Sequence, residues 1–322
     1  MKRILFSLIP AIVLFSLLEF ALRLSPWDSY FSPEYRQGSL LDHSVFWRPE
    51  PPQHNPSGIA HHAAMEFRGV FHEEKKPQGV FRILCLGGSS TWGWPLEDTE
   101  KIYPAVLETM LNRQFSKNKF EVINAGVGGY STFQVLMYLK QRLLNFSPDL
   151  VTLCVGANDS HHNGEIHITL SDKEYSEWLK QESLRPRGEW ELIGLNLRRF
   201  LQNLRIYNWF DEMLFRLLNK PKQRVPPEDF ENNLREIIAL GERRHFKILL
   251  ITEAHRSPDA IVRYVEIMKN LAEANEGVVF IDTRPALEED SYFVDEMHPT
   301  YEGHRVIAGI IFKALINSQI IG

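Results

Sequence analysis

From Phe81 onward the chain alternates short, mainly apolar runs with longer segments of helical periodicity, and that alternation leaves few folds open. Phe81–Leu86, Phe120–Asn124, Leu150–Val155, Lys247–Thr252 and Gly277–Asp282 read as strands buried on both faces. Between them, Tyr103–Phe115, Thr132–Phe146, Glu228–Arg244 and Asp259–Ala274 repeat apolar residues at helical spacing, and Gly303–Ser318 adds a closing helix. The second helix is expected to stop ahead of Ser147-Pro148, because the residue before proline avoids helical geometry. Strands of this kind separated by helices predict the α/β class: a parallel sheet with helices on both faces.

Two stretches fall outside the rhythm. The first, 161–225, contains the Leu-, Phe- and Trp-rich run Leu195–Leu218 and no strand signal, so it reads as a helical insertion beside the sheet. Its aromatic residues Trp178, Trp190 and Trp209 are either packing or a surface on which sugar rings stack. His161 and His162 are adjacent, so on one element their rings point apart, and no metal site is expected there. The second, 26–78, is rich in proline and histidine and has little periodicity. It is expected to pack irregularly or act as a spacer, with Phe46, Trp47 and Phe67 docking in part on the periodic region.

The chain begins with Lys2 and Arg3 ahead of an apolar run, Ile4–Leu24, of twenty-one residues. At a rise of about 1.5 Å per residue that run crosses ~30 Å of hydrocarbon. Glu19 and Arg23 stand one helical turn apart and are able to pair near an interface. Residues 1–25 are therefore expected to be a membrane anchor or, alternatively, a cleaved signal, although no A-x-A-like exit site follows. The basic pair would keep the tail cytoplasmic and put residues 79–322 on the extracytoplasmic side, periplasmic or extracellular. A net charge of −5 without a basic run argues against a nucleic-acid partner. Cys85 and Cys154 lie in apolar strands and read as small buried hydrophobes.

Four segments carry chemistry. Gly87-Gly88-Ser89-Ser90-Thr91 follows the first strand of the periodic region, and its glycines let the backbone turn sharply so that Ser89 sits at the carboxyl edge of the sheet. Taken alone it is equally a helix N-cap loop or a phosphate nest, although it lacks the lysine of a Walker A loop. Asn124-Ala125-Gly126-Val127-Gly128-Gly129 follows the next strand but misses the G-x-G-x-x-G spacing of a dinucleotide site. Its glycines are able to aim backbone N–H groups at a reacting oxygen. Gly156-Ala157-Asn158-Asp159 ends the third strand, where Asn158 is either a turn residue or an amide donor to an oxyanion. Asp295-Glu296-Met297-His298 brings a carboxylate and an imidazole within one local turn, the pairing that fixes a tautomer and stabilises an imidazolium. Together the four supply a hydroxyl nucleophile, a base, an acid and oxyanion donors.

These blocks resemble those of the SGNH hydrolase superfamily, the GDSL-type esterases and lipases, with Ser89, Gly129, Asn158 and His298 as the four name-giving residues. The resemblance spans roughly 82–315, leaving 161–225 outside it. It implies a flavodoxin-like three-layer αβα sandwich with sheet order 2-1-3-4-5. It also implies catalysis by Ser89, Asp295 and His298 without metal or cofactor, and an oxyanion hole from the Ser89 and Gly129 N–H groups and the Asn158 amide. One residue departs from the pattern: the family's Asp ahead of the serine is Gly88, a variant found among membrane-anchored relatives. The expected activity is hydrolysis of a carboxylic (O-acyl) ester, with O-acetyl glycans among the candidate substrates. Alternatives are an O-acyltransferase to polysaccharide using the same residues, or a catalytically idle membrane-tethered binding module.

Overall fold

The computed structural model describes residues 2–25, 39–42, 46–49, 67–115, 119–162, 169–184, 186, 193, 194, 197, 200–255, 259 and 261–321. In chain order the main elements are α1 (Lys2–Leu24), β1 (Ser39–Asp42), β2 (Phe46–Pro49), β3 (Val80–Gly87), α2 (Ser89–Trp92), α3 (Tyr103–Gln114), β4 (Lys119–Asn124), α4 (Thr132–Gln141) and β5 (Leu150–Val155). Then follow α5 (Ala157–Ser160), α6 (Asp172–Leu184), α7 (Arg205–Leu218), α8 (Pro227–Arg244), β6 (Lys247–Thr252), α9 (Val262–Ala274), β7 (Val278–Ile281) and α10 (Tyr301–Asn317).

Strands β3 to β7 form one sheet in the order β4-β3-β5-β6-β7, every pair parallel, which is the expected 2-1-3-4-5. Its strands are apolar on both sides because both sides are covered. On one face Leu84, Leu86, Leu153 and Leu250 pack under α4, α8 and α9. On the other, Ile83, Cys85, Leu249 and Ile251 pack under α3 and α10. The two cysteines are free and buried, as their apolar surroundings suggested. Between β3 and β5 the register pairs Gly87 with Cys154, so the turns that follow both strands open on one edge of the sheet.

The expected helix over Thr132–Phe146 is interrupted. It ends at Gln141, and Leu143–Phe146 tightens into a 3-10 turn. That turn buries Leu143 and Phe146 and presents the Phe146 carbonyl to the Arg82 guanidinium at 2.7 Å. Of the 26–78 stretch, the described residues are 39–42, 46–49 and 67–78. Strands β1 and β2 pair antiparallel within it, although the side chains of Phe46 and Trp47 lie outside the described residues. Phe67 is buried and meets Phe146 edge-on at 4.9 Å, and Arg68 forms a backbone bridge to Asn124.

Arg82 fastens that segment to the sheet. Its guanidinium is fully buried and donates to the Glu121 carboxylate (2.6 Å) and to the carbonyls of Glu73, Glu74 and Phe146. Burial alone would raise the Glu121 pKa, but hydrogen bonds from His72 and Arg82 outweigh it and hold the carboxyl below its usual range. Two further carboxylates lie beneath the carboxyl edge. Asp159 accepts from the Thr132 N–H and hydroxyl, and Glu253 accepts from the Ser90 hydroxyl (3.1 Å) and the Ala157 N–H (3.1 Å). Burial pushes them up to about 6 and about 7 respectively.

The N-terminal run is a helix over Lys2–Leu24, as its apolar length suggested. The transmembrane helix expected there is not found: among the described residues no helix is long and apolar enough to cross a membrane. The side chains at 2–9, 11 and 12, which carry much of the apolar run, lie outside the described residues. Within 161–225, α6 and α7 agree with a helical insertion, and a bridge between His162 and Gln223 closes its two ends.

Two stability measurements follow from the buried charges. Arg82→Met strands Glu121 and three carbonyls, so urea denaturation should register a loss of about 3–5 kcal/mol, as for a broken buried pair. For Glu253 the folded chain keeps a proton up to about pH 7, whereas the unfolded chain releases it near 4.5. The folded state therefore binds more protons between those values, and stability falls as pH rises through that window. Glu253→Gln should flatten this slope in urea midpoints measured from pH 4.5 to 8; an unchanged slope would show that Glu253 does not cause it.

Candidate active site

Strand β3 delivers Ser89 to the carboxyl edge, where Gly88 turns the chain into the short helix α2. The hydroxyl meets His298 there: Ser89 Oγ lies 2.7 Å from His298 Nε2. The opposite ring nitrogen, Nδ1, lies 2.7 Å from Asp295 Oδ2. Asp295 Oδ1 accepts the backbone N–H groups of Met297 (3.0 Å) and His298 (2.9 Å). The carboxylate therefore closes its own loop and fixes the ring at the same time; this is a side-chain-capped turn rather than a turn of helix. Burial is the largest single influence on Asp295 and raises its pKa, but the hydrogen bonds from Met297 and His298 together outweigh it and hold the carboxyl below its usual range. It is anionic at neutral pH. Backbone pairing of Val294 with His298 and of Tyr292 with Thr300 braces the loop, and Thr300 caps α10.

Asn158 occupies the first turn of α5, just past β5, and is buried. Its Nδ2 donates to the Tyr130 carbonyl at 3.1 Å, which turns the amide toward the Gly129 loop and leaves a second N–H on the same nitrogen. A Cβ at Gly88 would lie 2.4 Å from that nitrogen. The residue ahead of Ser89 is thus glycine where the Asn158 amide comes closest, and an aspartate would displace that amide. Gly129 has φ +75°, a left-handed conformation that suits glycine.

The Gly129 loop is held from the far side by residues that sequence reasoning missed. Arg224 Nη1 donates to the Gly129 carbonyl at 2.8 Å, and its Nη2 donates to Gln134 Oε1 (2.7 Å) and to Asp172 Oδ2 (3.0 Å). Asp172 accepts in turn from the Ser131 hydroxyl (2.7 Å), and Ser131 and Gln134 form a capping box at the start of α4. Arg224 and Asp172 lie at the two ends of the 161–225 insertion, so its boundaries grip the site. Glu253, below Ser90 and Ala157, was also missed. Arg224, Asp172 and Glu253 belong to no motif, and no spacing in the sequence announces them.

The histidines of the insertion contribute backbone. The His161 carbonyl accepts the Arg224 N–H at 2.8 Å, and His162 bridges Gln223. Trp178 is stacked on Tyr175, Trp209 lies on the outer face of α7, and Trp190 is outside the described residues. Among the described residues no group of His, Cys, Asp and Glu is arranged to hold a metal. What remains is a hydroxyl, imidazole and carboxylate in one hydrogen-bonded chain, beside a buried amide and a glycine-rich loop. Such a set transfers a proton from the hydroxyl to the ring as the oxygen attacks an electrophile.

No curated protein matches this chain. Among solved structures, an α/β hydrolase from the metagenome of Lake Arreo, Spain, is 18% identical, with 75% of this chain and 96% of that one covered and a TM-score of 0.49. A putative acylhydrolase from Bacteroides fragilis is 17% identical, covering 74% and 88%, at a TM-score of 0.46. A catalytic mutant of an acetylxylan esterase from Geobacillus stearothermophilus is 16% identical, covering 72% and 93%, at 0.48. The model of the GDSL-like Lipase/Acylhydrolase family matches residues 85–214, a span that holds Ser89, Gly129 and Asn158 and ends before Asp295 and His298; the match supports a hydrolase enzyme.

Proposed function

We propose that this protein is a serine esterase of the SGNH type, cleaving carboxylic esters through an acyl-enzyme on Ser89. The observation that carries the reading is the unbroken hydrogen-bonded line from Ser89 Oγ through both nitrogens of His298 to Asp295. His298 takes the Ser89 proton as Oγ attacks the acyl carbonyl, and Asp295 stabilises the imidazolium that results. The Asn158 amide and the N–H groups of Ser89 and Gly129 face the oxygen that gains charge. The ring then protonates the departing alkoxide, the alcohol leaves, and a water that gives its proton to His298 attacks the acyl-enzyme and releases the acid. O-acyl groups on carbohydrate are one substrate class for this chemistry. Acyl transfer to a sugar hydroxyl would replace the water and appear as acyl-glycan product.

The same proposal includes a membrane anchor. In the described part of α1, Val13, Leu14, Phe15, Leu17, Leu18 and Phe20 are exposed. Large apolar side chains exposed along a helix are stabilised in lipid. Lys2 and Arg3 then favour an extracytoplasmic position for the site.

Ser89→Ala should remove turnover of p-nitrophenyl acetate by roughly 10⁴-fold or more and abolish labelling by a fluorophosphonate probe, with unchanged circular dichroism. Parent-like turnover in this variant rules the mechanism out. Asn158→Ala should lower kcat about 10²–10³-fold with little change in KM, the signature of a lost oxyanion donor. Gly88→Asp, which restores the family residue, should lower kcat in the same way because its Cβ displaces the Asn158 amide.

A further inference from the structure

Helix α7 is turned the wrong way round for a helix in water. At 100° per residue its apolar residues cover roughly half the circumference. That half faces outward: Trp209, Phe210, Met213, Leu214, Leu217 and Leu218 are all exposed, the last two at 76% and 69%. Its polar side faces the protein, with Asn208 buried and Asp211 and Glu212 half-buried. A contiguous apolar face of this size marks a partner or a membrane.

The position of α7 identifies which. Its first turn is bonded to the end of α1: Glu19 accepts the backbone N–H groups of Arg205 (3.2 Å) and Ile206 (2.9 Å). Arg205 Nη1 donates to the Leu22 carbonyl (3.1 Å), and Arg23 bridges Glu19 (2.7 Å) and the Asn203 carbonyl (3.2 Å). This polar junction lies where the apolar run of α1 ends, and the exposed face of α7 starts from it. A helix that leaves a membrane anchor at that level meets the boundary between headgroups and acyl chains, where tryptophan is favoured.

We propose that α7 lies in the surface of the bilayer that holds α1, with its Trp209–Leu218 apolar face sunk into phospholipid. This rests on the anchor reading above and adds a second, in-plane attachment to it. Arg216 and Lys220 are exposed at the end of the helix, in reach of anionic headgroups. Arg224, a little further along the same segment, holds the Gly129 carbonyl, so the lipid-seated helix is fastened to the site. One anchor leaves the domain free to swivel; two fix the height and orientation of the crevice above the membrane.

The test uses the full chain in vesicles of phosphatidylcholine and phosphatidylglycerol. Cysteine is introduced by Leu217→Cys or Leu218→Cys on α7 and by Glu273→Cys on α9 as a control; the native thiols are buried and do not compete. Each variant is labelled with an environment-sensitive nitrobenzoxadiazole probe, and circular dichroism matched to the parent establishes folding. The probes on α7 should be blue-shifted and quenched several-fold more than the control by lipid carrying a doxyl group at carbon 5. Sedimentation after alkaline carbonate reads the anchor separately. Retention with no quenching on α7 overturns the in-plane attachment and leaves the anchor standing. A blue shift without quenching means that a second copy covers the face, which also overturns it. Release by carbonate removes the anchor reading and this one together, while leaving the Ser89 chemistry to its own assay.

Discussion

The bond between Ser89 Oγ and His298 Nε2 joins residues 209 positions apart and exists only because the parallel sheet brings their loops to one edge. Register is what makes this possible. Gly87 of β3 pairs with Cys154 of β5, so the turns carrying Ser89 and Asn158 rise side by side. A slip of one residue would turn every side chain of a strand to the opposite face; packing on both sides of the sheet resists it, as does the Arg82–Glu121 pair that lies directly across β3 and β4. The two clusters that cover the sheet therefore specify the geometry of the site as well as the fold.

Around that edge, a set of buried polar groups fixes what packing alone would leave loose. Arg82 ties the segment before β3 to the sheet, Arg224 and Asp172 brace the Gly129 loop, and Glu253 links the turns after β3 and β5. Each group is satisfied by several partners, which is the condition for a buried charge to impose one arrangement rather than destabilise all of them. The insertion is not a passive decoration in this scheme. It holds a site loop through Arg224 and Asp172, and its outer helix is bonded to the N-terminal helix through Glu19 and Arg205.

The strands and the four motif blocks were legible in the sequence, because each depends on local pattern: an apolar run, a glycine turn, a carboxylate three residues from a histidine; the sheet order was an expectation from the family resemblance alone. The local pairing of β1 with β2 was not legible, for lack of a glycine or asparagine turn between them, nor was the break of the fourth helix at Arg142, since the Phe146 carbonyl answers to Arg82 elsewhere in the chain. Arg224, Asp172 and Glu253 were invisible for the same reason. An arginine in the polar, proline-flanked run 219–227 looks like a surface residue until the carbonyl it serves is known.

The sequence by itself determined the α/β class and the places of the strands, helices and glycine turns of the periodic region, because short-range periodicity and turn chemistry encode them. Only the tertiary structure decided that a glycine precedes Ser89 where the Asn158 amide approaches, that Asp295 closes its own loop, and that the polar side of α7 turns inward. Those outcomes depend on distances between segments far apart in the chain, and contacts of that kind are set by the packing of the whole molecule.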